Sequence, residues 1–168
     1  LQESERQYRH LFEHSMVGIY RSTADGRFVV VNQAFSNMLG YSDPNELLNI
    51  EISKDLYPES ATRGQLHESY DDLGIVSGIE YQMKRKDGSL IDVTSFCRQI
   101  KGPGGKVLAH EGYVLDVTER NQAIRDVRRL EQFNRQILDS IPLPIAVFNE
   151  NGEYIYVNRA SVPREELG

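Results

Sequence analysis

The chain has few of the features that mark secreted, membrane-spanning or nucleic-acid-binding proteins. Its 168 residues contain one cysteine, which excludes an internal disulfide framework. No apolar run approaches the roughly 18 residues of a membrane span, and no signal-peptide pattern begins the chain. We therefore expect a cytoplasmic location and no membrane span in this fragment, which leaves open a membrane anchor in a longer parent protein.

Clustered positive charge and catalytic motifs are missing as well. The formal net charge of −6 at pH 7 argues against a general nucleic-acid binder, because phosphate contacts need clustered cations. The sequence has no G-x-x-x-x-G-K-[ST], H-E-x-x-H or G-x-S-x-G pattern, the marks of phosphate-binding loops, zinc proteases and serine hydrolases. We expect no catalytic residue, no metal site and no nucleic-acid partner in this fragment.

An internal repeat is the clearest positive feature of the sequence. The segment A-D-G-R-F-V-V-V-N-Q-A, residues 24–34, returns as E-N-G-E-Y-I-Y-V-N-R-A, residues 150–160. Asn32 and Asn158 are therefore 126 residues apart. A repeat of this kind predicts one complete structural unit followed by the first part of a second.

The first part of the complete unit is predicted to contain a hairpin between helices. Apolar residues at helical spacing predict an amphipathic helix over residues 1–15. Residues 16–31 are rich in β-branched and aromatic residues and turn at Asp25-Gly26, which is typical of a β-hairpin. Asn32 is the expected N-cap of a short helix.

Two further helices are predicted before the chain becomes strand-like. Asp43 and Pro44 have the pattern of an N-cap followed by proline at the first helical position. A longer helix fits residues 58–73, and Gly74 follows it as a stop signal. The residues expected on the inward face of this longer helix are Leu66, Tyr70 and Leu73.

From Gly78 onward, apolar and polar residues alternate, which indicates half-buried strands. Asp87-Gly88 and residues 102–105 supply turns between three strands, the last of which ends at Asp116. Because tight hairpins make neighbouring strands antiparallel, we expect an α+β fold with one antiparallel sheet and helices on one face.

A long helix is predicted directly after the last strand. Asp116 stands three residues before Glu119, the spacing of a capping box that starts a helix near Thr118. Beyond it, residues recur at alternating steps of four and three, the seam of a coiled coil. The seam positions are Ala123, Val127, Leu130, Asn134, Ile137 and Ile141. A single asparagine on such a seam fixes register and helix number, which favours a parallel dimer over a lone amphipathic helix packed on its own domain.

Taken in order, these segments resemble the PAS domain family, small sensory and dimerisation domains of bacterial signalling proteins. The matching segments are Y-R-H-L-F-E at 8–13, D-G-R-F-V-V-V-N at 25–32, A-F-S-N-M-L-G-Y at 34–41, K-D-G-S at 86–89 and D-V-T-E-R at 116–120. The resemblance covers about residues 8–120, and residues 137–168 resemble the front of a second copy.

The resemblance implies a division of the chain into four parts. These are an N-terminal amphipathic helix at residues 1–15, a PAS sensor domain at 16–117, a coiled-coil linker helix at 118–141 and the truncated start of a second PAS domain at 142–168. It implies a five-stranded sheet in spatial order 2-1-5-4-3, with a ligand pocket between the sheet and its helices. The implied signal junction comprises Asp116, Thr118, Glu119 and Arg120, and the partners expected for the Asp116 carboxylate are Arg120, Arg85 or Lys86.

The resemblance narrows the choice of cofactor without naming one. Flavin photosensors of this family carry a reactive cysteine on a short helix, whereas Cys97 falls within a predicted strand, so no flavin–cysteine adduct is expected. Haem-binding members carry a histidine on the long helix. His67 lies beside the apolar face of that helix, so haem is not expected, and His110 of the last strand is expected to be structural. The sequence leaves a small organic ligand as the alternative to these cofactors.

Pocket candidates are the residues predicted to face the space between the sheet and its helices. They are Phe35, Met38, Leu39, Tyr57, Leu66, Tyr70, Tyr81, Met83, Val93, Ser95 and Val114. Because the same residues suit a solid core, a filled interior is the alternative to a ligand site.

Together these features predict a signal-sensing and signal-transmitting module, expected in a bacterial sensor histidine kinase of a two-component system. Changes in the pocket or in the helices would be coupled to a dimeric output helix through Val127, Leu130, Asn134 and Ile137. Two alternatives stay open: a module that regulates a diguanylate cyclase or phosphodiesterase, and a ligand-free dimerisation scaffold. The expected partners are a second copy, the neighbouring domains of the same polypeptide and a small molecule.

Overall fold

The computed structural model describes residues 2–58, 64 and 68–161 of the chain. Two compact units are present, Leu1–Glu119 and Arg120–Gly168. Among the helices in this described part, none combines the length and the apolar character that crossing a membrane requires.

The first unit is built on one antiparallel sheet. Its strands are β1 (Gly18–Thr23), β2 (Phe28–Val31), β3 (Ile75–Lys84), β4 (Leu90–Lys101) and β5 (Val107–Asp116). The spatial order is β2-β1-β5-β4-β3, which confirms the predicted order. β5 lies centrally, because it pairs with β1 along one edge and with β4 along the other.

The two predicted Asp-Gly turns close hairpins of this sheet. Gly26, between β1 and β2, has a φ of 92°, and Gly88, between β3 and β4, has a φ of 85°. Both angles lie in the left-handed region that glycine adopts without steric cost. In the second turn the Asp87 carboxylate also accepts a hydrogen bond from the backbone N–H of Ser89 at 2.9 Å.

The first unit also contains helical segments. The segments are α1 (Gln2–Glu13), α2 (Gln33–Met38), α3 (Pro44–Leu47) and one π-helical turn at Ile52–Leu56. The predicted N-caps are confirmed, since Asn32 accepts from the backbone N–H of Phe35 and Asp43 forms a complete capping box. Gly18 allows α2 to approach β1, because a Cβ there would lie 2.7 Å from Cδ2 of Phe35.

Half of the helix predicted over residues 58–73 lies outside the described residues. Leu66 and His67 are among those not described, and Gly64 and Glu68 are helical. Tyr70 follows the helical residues, and the prediction that Leu73 points inward is wrong, because its side chain is 77% exposed. Leu73 lies within a turn in which the Asp71 carbonyl accepts from the N–H of Gly74.

The hydrophobic core of the first unit lies between the inner face of the sheet and the short helices. Its buried members are Phe28, Val31, Phe35, Leu39, Leu47, Ile52, Leu56, Met83, Ile91, Val93 and Val114. On β4 the core residues Ile91 and Val93 are two positions apart, as alternation predicts for a sheet with one covered face. On β2 the core residues Phe28 and Val31 are three apart, because the pairing of β1 with β2 shifts its register between them.

The second unit contains most of a long helix and a small hairpin. Helix α4 (Thr118–Ser140) is followed by β6 (Ala146–Phe148) and β7 (Tyr154–Val157). The helix bounds agree with the predicted 118–141 to within one residue. All four residues predicted to form the dimer contact are exposed, including Leu130 at 60% and Ile137 at 45%.

Candidate functional site

An internal cavity of about 60 Å³ lies between the inner face of the sheet and the helices of the first unit. The described residues that line it are Tyr20, Ser22, Phe28, Phe35, Ile52, Tyr57, Tyr70, Val76, Ile79, Tyr81, Met83, Ser95, Cys97, His110 and Val114. Sites for drug-sized ligands measure about 300–1,000 Å³. A cavity of the observed size therefore suits a molecule of a few heavy atoms.

Polar side chains are concentrated on one side of this cavity. The hydroxyl of Tyr70 lies 2.8 Å from Sγ of Cys97, and the rings of Tyr70 and His110 are 5.7 Å apart. Burial raises the pKa of Tyr20 well above its ordinary value, and the neighbouring Cys97 adds to that increase. The cavity wall thus offers hydroxyl, thiol and imidazole groups in apolar surroundings.

Tyr81 provides a pH-dependent test of this buried environment. Burial raises the pKa of Tyr81 to about 12, although a hydrogen bond with Ser95 lowers it in part. Because the folded state holds the phenol proton more tightly than the unfolded state, this stabilising contribution is complete below about pH 10 and is lost as the pH rises towards 12.

We expect the free energy of unfolding to fall between pH 8 and pH 11, and to fall by about 1 kcal/mol less in Tyr81→Phe. Urea unfolding at several pH values measures the difference. Tyr113→Phe, which removes a phenol that is 42% exposed, is the control. An equal pH dependence in wild type and Tyr81→Phe would contradict the buried environment.

The structure brings most of the predicted pocket residues to the cavity. Those that line it are Phe35, Tyr57, Tyr70, Tyr81, Met83, Ser95 and Val114. Met38, Leu39 and Val93 belong to the surrounding core and do not line the cavity, which corrects their assignment, and Leu66 lies outside the described residues. The assignment of these three failed because alternation and helical spacing identify an inward face but not which inward residues border a void.

Several cavity residues were missed by sequence reasoning. They are Tyr20, Ser22, Phe28, Ile52, Val76, Ile79 and Cys97. Tyr20 and Ser22 alternate along β1 and could have been found from that period, whereas Cys97 was assigned to packing alone. Cys97 is 9% exposed within β4, as its predicted strand position requires, and it also forms part of the cavity wall.

The second part of the site is the outgoing junction, where β5 passes into α4. The carboxylate of Asp116 accepts from the backbone N–H of Thr118 at 2.9 Å and is 3.2 Å from Nη2 of Arg85. Of the partners considered for Asp116, Arg85 is therefore the one observed. The expected capping box is wrong in detail. The helix begins at Thr118, so Val117 occupies the capping position and Asp116 lies one residue before it.

Thr118 attaches the start of α4 to the neighbouring strand. Its hydroxyl accepts from the backbone N–H of Asp92 at 3.0 Å, and the N–H of Val117 donates to the Asp92 carbonyl at 2.9 Å. The three consecutive residues Asp116, Val117 and Thr118 are therefore fixed by hydrogen bonds to β4 and to the β3–β4 turn.

The third part of the site is the incoming junction, where α1 passes into β1. Asn32 is fully buried, and its Nδ2 donates to the carbonyls of Phe12 at 3.0 Å and Val17 at 2.9 Å. Its Oδ1 accepts from the N–H groups of Ile19 at 2.9 Å and Phe35 at 3.0 Å. One side chain thus joins the end of α1, the start of β1 and the first turn of α2.

Asn158 repeats this arrangement in the second unit. It is fully buried, and its Nδ2 donates to the carbonyls of Leu138, Ile141 and Leu143 at 2.9–3.2 Å. Its Oδ1 accepts from the N–H of Ile145 at 2.9 Å. Three of these four bonds span 20, 15 and 13 residues of the chain, the same intervals as the bonds of Asn32 to Phe12, Val17 and Ile19, and the bond to Ile141 spans 17. The final turn of α4 is therefore the counterpart of the end of α1.

Comparison with known protein families finds two matches of one kind. A family model described as a PAS domain matches residues 14–119, and a second model with the same description matches residues 132–162. The first match covers more than half of the chain, and the second covers the end of α4 together with the β6–β7 hairpin.

An individual protein is similar to most of the chain as well. The C4-dicarboxylate transport sensor protein DctS of Rhodobacter capsulatus is 25% identical over 132 residues, which cover 77% of this chain and 20% of that protein. The chain therefore spans about a fifth of the length of this relative.

Two solved structures have a similar fold. A PAS domain of an HTR-like protein from Haloarcula marismortui has a TM-score of 0.56 and 27% identity over 68% of this chain and 93% of that one. A sensory box histidine kinase/response regulator from Burkholderia thailandensis has a TM-score of 0.59 and 17% identity over 77% of this chain and 98% of that one.

Proposed function

The chain belongs to the PAS domain family, and from that premise we propose that it couples changes in its cavity or incoming helix to a paired output helix. It is a sensory domain with the start of a second one. Its similarity to a transport sensor protein supports a role in signalling.

The observation that carries the proposal is the hydrogen bonding at the outgoing junction. Asp116 and Thr118 connect the first residues of α4 to Arg85 and Asp92, which belong to two different parts of the sheet. A movement of β5 relative to β4 therefore changes the contacts that position the start of α4. Such a movement transmits a signal only when the input has different affinities for two arrangements of the helix.

We propose that the direct input is a small neutral molecule or a displacement of α1. The cavity volume of about 60 Å³ and its hydroxyl-bearing walls favour a compact ligand that forms hydrogen bonds. A filled interior is the competing possibility, and in that case the module transmits movements of α1 alone and acts as a scaffold.

We further propose that α4 forms a homodimer and that the parent protein is a sensor histidine kinase. The apolar seam of α4 is exposed in the single chain, and Asn134 suits a two-stranded arrangement. The name of the relative, a transport sensor protein, supports a sensor role, and a histidine kinase is the output that we propose for the parent protein. Regulation of a diguanylate cyclase or phosphodiesterase is the second candidate, and the domains that follow in the parent protein distinguish the two.

Replacing Asp116 with alanine tests the proposed role of the junction. We expect Asp116→Ala in the parent protein to reduce the response to its input by at least about fivefold, in line with typical coupling between sites, while the domain stays folded. The measurement is output activity with and without the input, and circular dichroism monitors folding.

Asp87→Ala is the matched control, because Asp87 is an exposed carboxylate in the β3–β4 turn whose side chain accepts hydrogen bonds from Ser89 of the same turn. An unchanged response in folded Asp116→Ala, or an equal loss in Asp87→Ala, would refute the role of the junction.

A further inference from the structure

Helix α2 is hydrogen-bonded at both of its ends to the two junctions of the domain. At its start, Oδ1 of Asn32 accepts from the N–H of Phe35, while Nδ2 of the same side chain donates to the Phe12 carbonyl of α1. The position of the incoming helix is therefore fixed relative to α2 by a single buried side chain.

At the other end of α2, Arg85 makes the corresponding connection. Its Nε donates to the Met38 carbonyl at 3.0 Å, and its Nη2 donates to the Asp116 carboxylate at 3.2 Å. The next residue of the hairpin, Lys86, uses its backbone N–H to donate to the Leu39 carbonyl at 2.9 Å. The end of α2 is thus attached to the β3–β4 hairpin, and one guanidinium group extends that attachment to the outgoing junction.

From this arrangement we infer that Arg85 is a positioning residue that couples the incoming helix to α4 through α2. The route runs from the Phe12 carbonyl through Asn32, α2 and Arg85 to Asp116 and the N–H of Thr118. Phe35 of α2 also lines the cavity, so a cavity ligand and a displacement of α1 act on the same helix. The inference deepens the proposed function and rests on it.

The shape of the arginine side chain is what this role requires. A guanidinium group presents Nε and Nη2 in a fixed plane and binds two acceptors in different directions at once. A lysine at the same position carries one ammonium group, which reaches either the Met38 carbonyl or the Asp116 carboxylate. Arg85 and Asp116 are partly exposed, with 38% and 32% of their side-chain surfaces accessible, so the pair contributes little to stability.

Amide hydrogen exchange in the 168-residue chain tests the coupling without a ligand or an output domain. The perturbation is Phe12→Ala, which loosens α1 because Phe12 is the buried residue of that helix. The readout is the exchange rate of the amides of residues 122–125, the first amides with partners inside α4. We expect Phe12→Ala to increase these rates about threefold when Arg85 is present and by less than about 1.5-fold in Arg85→Lys, a range typical of coupling between sites.

The matched control is Lys86→Gln, which removes a cation from the same hairpin and its ion pair with Glu46 but contacts neither Met38 nor Asp116 through its side chain. In that background the threefold increase should remain. Phe12→Leu replaces Phe12→Ala if the alanine variant is unfolded.

Three results would each overturn the inference. The first is an equal increase in exchange rate with Arg85 and with Arg85→Lys, and the second is no increase in any background. The third is a loss of the increase in Lys86→Gln. Because the parent protein's output is not involved, failure of this experiment is distinguishable from failure of the Asp116→Ala test. Coupling between α1 and α4 would then run through the sheet, and the junction would keep its proposed role.

Discussion

Replacing Asn32 with aspartate is expected to lower the free energy of unfolding of the domain by at least about 3 kcal/mol at pH 8. The asparagine is fully buried, and its amide nitrogen donates to two carbonyl oxygens at 2.9 and 3.0 Å. An aspartate has nearly the same shape, so packing is retained. Its carboxylate would face those two oxygens without a proton to donate and would be buried without a cation.

The pH dependence of Asn32→Asp distinguishes this cause from a packing defect. Burial near two carbonyls disfavours the charged carboxylate and raises its pKa above the value in the unfolded chain. The variant should therefore be least destabilised at low pH, where the acid is protonated in both states, and should lose stability as the pH rises. Urea unfolding between pH 5 and pH 8, judged against wild type, measures this change.

Asn37→Asp is the matched control, because it makes the same change on an exposed residue of α2. We expect it to change stability by less than about 0.5 kcal/mol, as is usual for surface substitutions. If Asn32→Asp were as stable as Asn37→Asp at pH 8, the hydrogen bonds of Asn32 at the incoming junction would not stabilise the domain.

The second large effect is expected at the seam of α4. Leu130 is 60% exposed in the single chain and lies at the middle of the repeating positions. In a dimer it would be enclosed by the partner helix, so Leu130→Glu would bury two unpaired carboxylates at the contact. We expect the dimer dissociation constant to rise at least about 30-fold, the effect of losing about 2 kcal/mol of binding energy.

Sedimentation equilibrium over a range of concentrations measures this dissociation constant. Gln132→Glu is the matched control, since it introduces the same charge two residues away, on the side of the helix opposite the seam. A wild-type chain that sediments as a monomer at all concentrations, or a Leu130→Glu variant that associates like wild type, would contradict pairing through this seam.

Local patterns in the sequence predicted the secondary structure well because their causes are local. Asn32 and Asp43 cap helices through bonds to residues two or three positions away, and the Asp-Gly turns need only a glycine with positive φ. The sheet order came from the resemblance to a family, since alternation in β1 and β5 does not indicate which strand lies beside which.

The junctions could be predicted only in part because their contacts are long-range. Asn32 was recognised as a cap, but its bonds to Phe12 and Val17 span 20 and 15 residues and leave no periodic signal. The bond from Arg85 to the Met38 carbonyl spans 47 residues. The repeat supplied an indirect signal, because Asn158 recurs at the same distance from the end of its incoming helix.

The β6–β7 hairpin illustrates how far the repeat extends. An isolated two-stranded hairpin is marginal in water, so a stable one needs contacts with a neighbouring element. In the second unit the Tyr156 hydroxyl donates to the Asp139 carboxylate at 2.6 Å, and Asn158 binds the last turn of α4. The hydrogen bond with Tyr156 lowers the pKa of Asp139. The hairpin is therefore held to the helix end by polar contacts, while Phe148 and Tyr154 stay exposed.

We propose that the junction at residues 116–118 sets the arrangement of paired α4 helices. Spin labels placed singly at Gln122 and Gln136, in a Cys97→Ser background, test it most directly through interspin distances in the dimer. Because the two positions are two heptads apart, a parallel dimer gives similar distances at both with no separation along the axis. An antiparallel dimer centred near Leu130 separates the labels along the axis by about 24 Å at position 122 and by about 18 Å at position 136. We predict similar distances in wild type, and in Asp116→Ala a shifted or broadened distribution at position 122 with little change at 136. If no interspin distance were observed, pairing through α4 would be contradicted. If the distance distributions of wild type and Asp116→Ala were identical, the role of the junction would be contradicted.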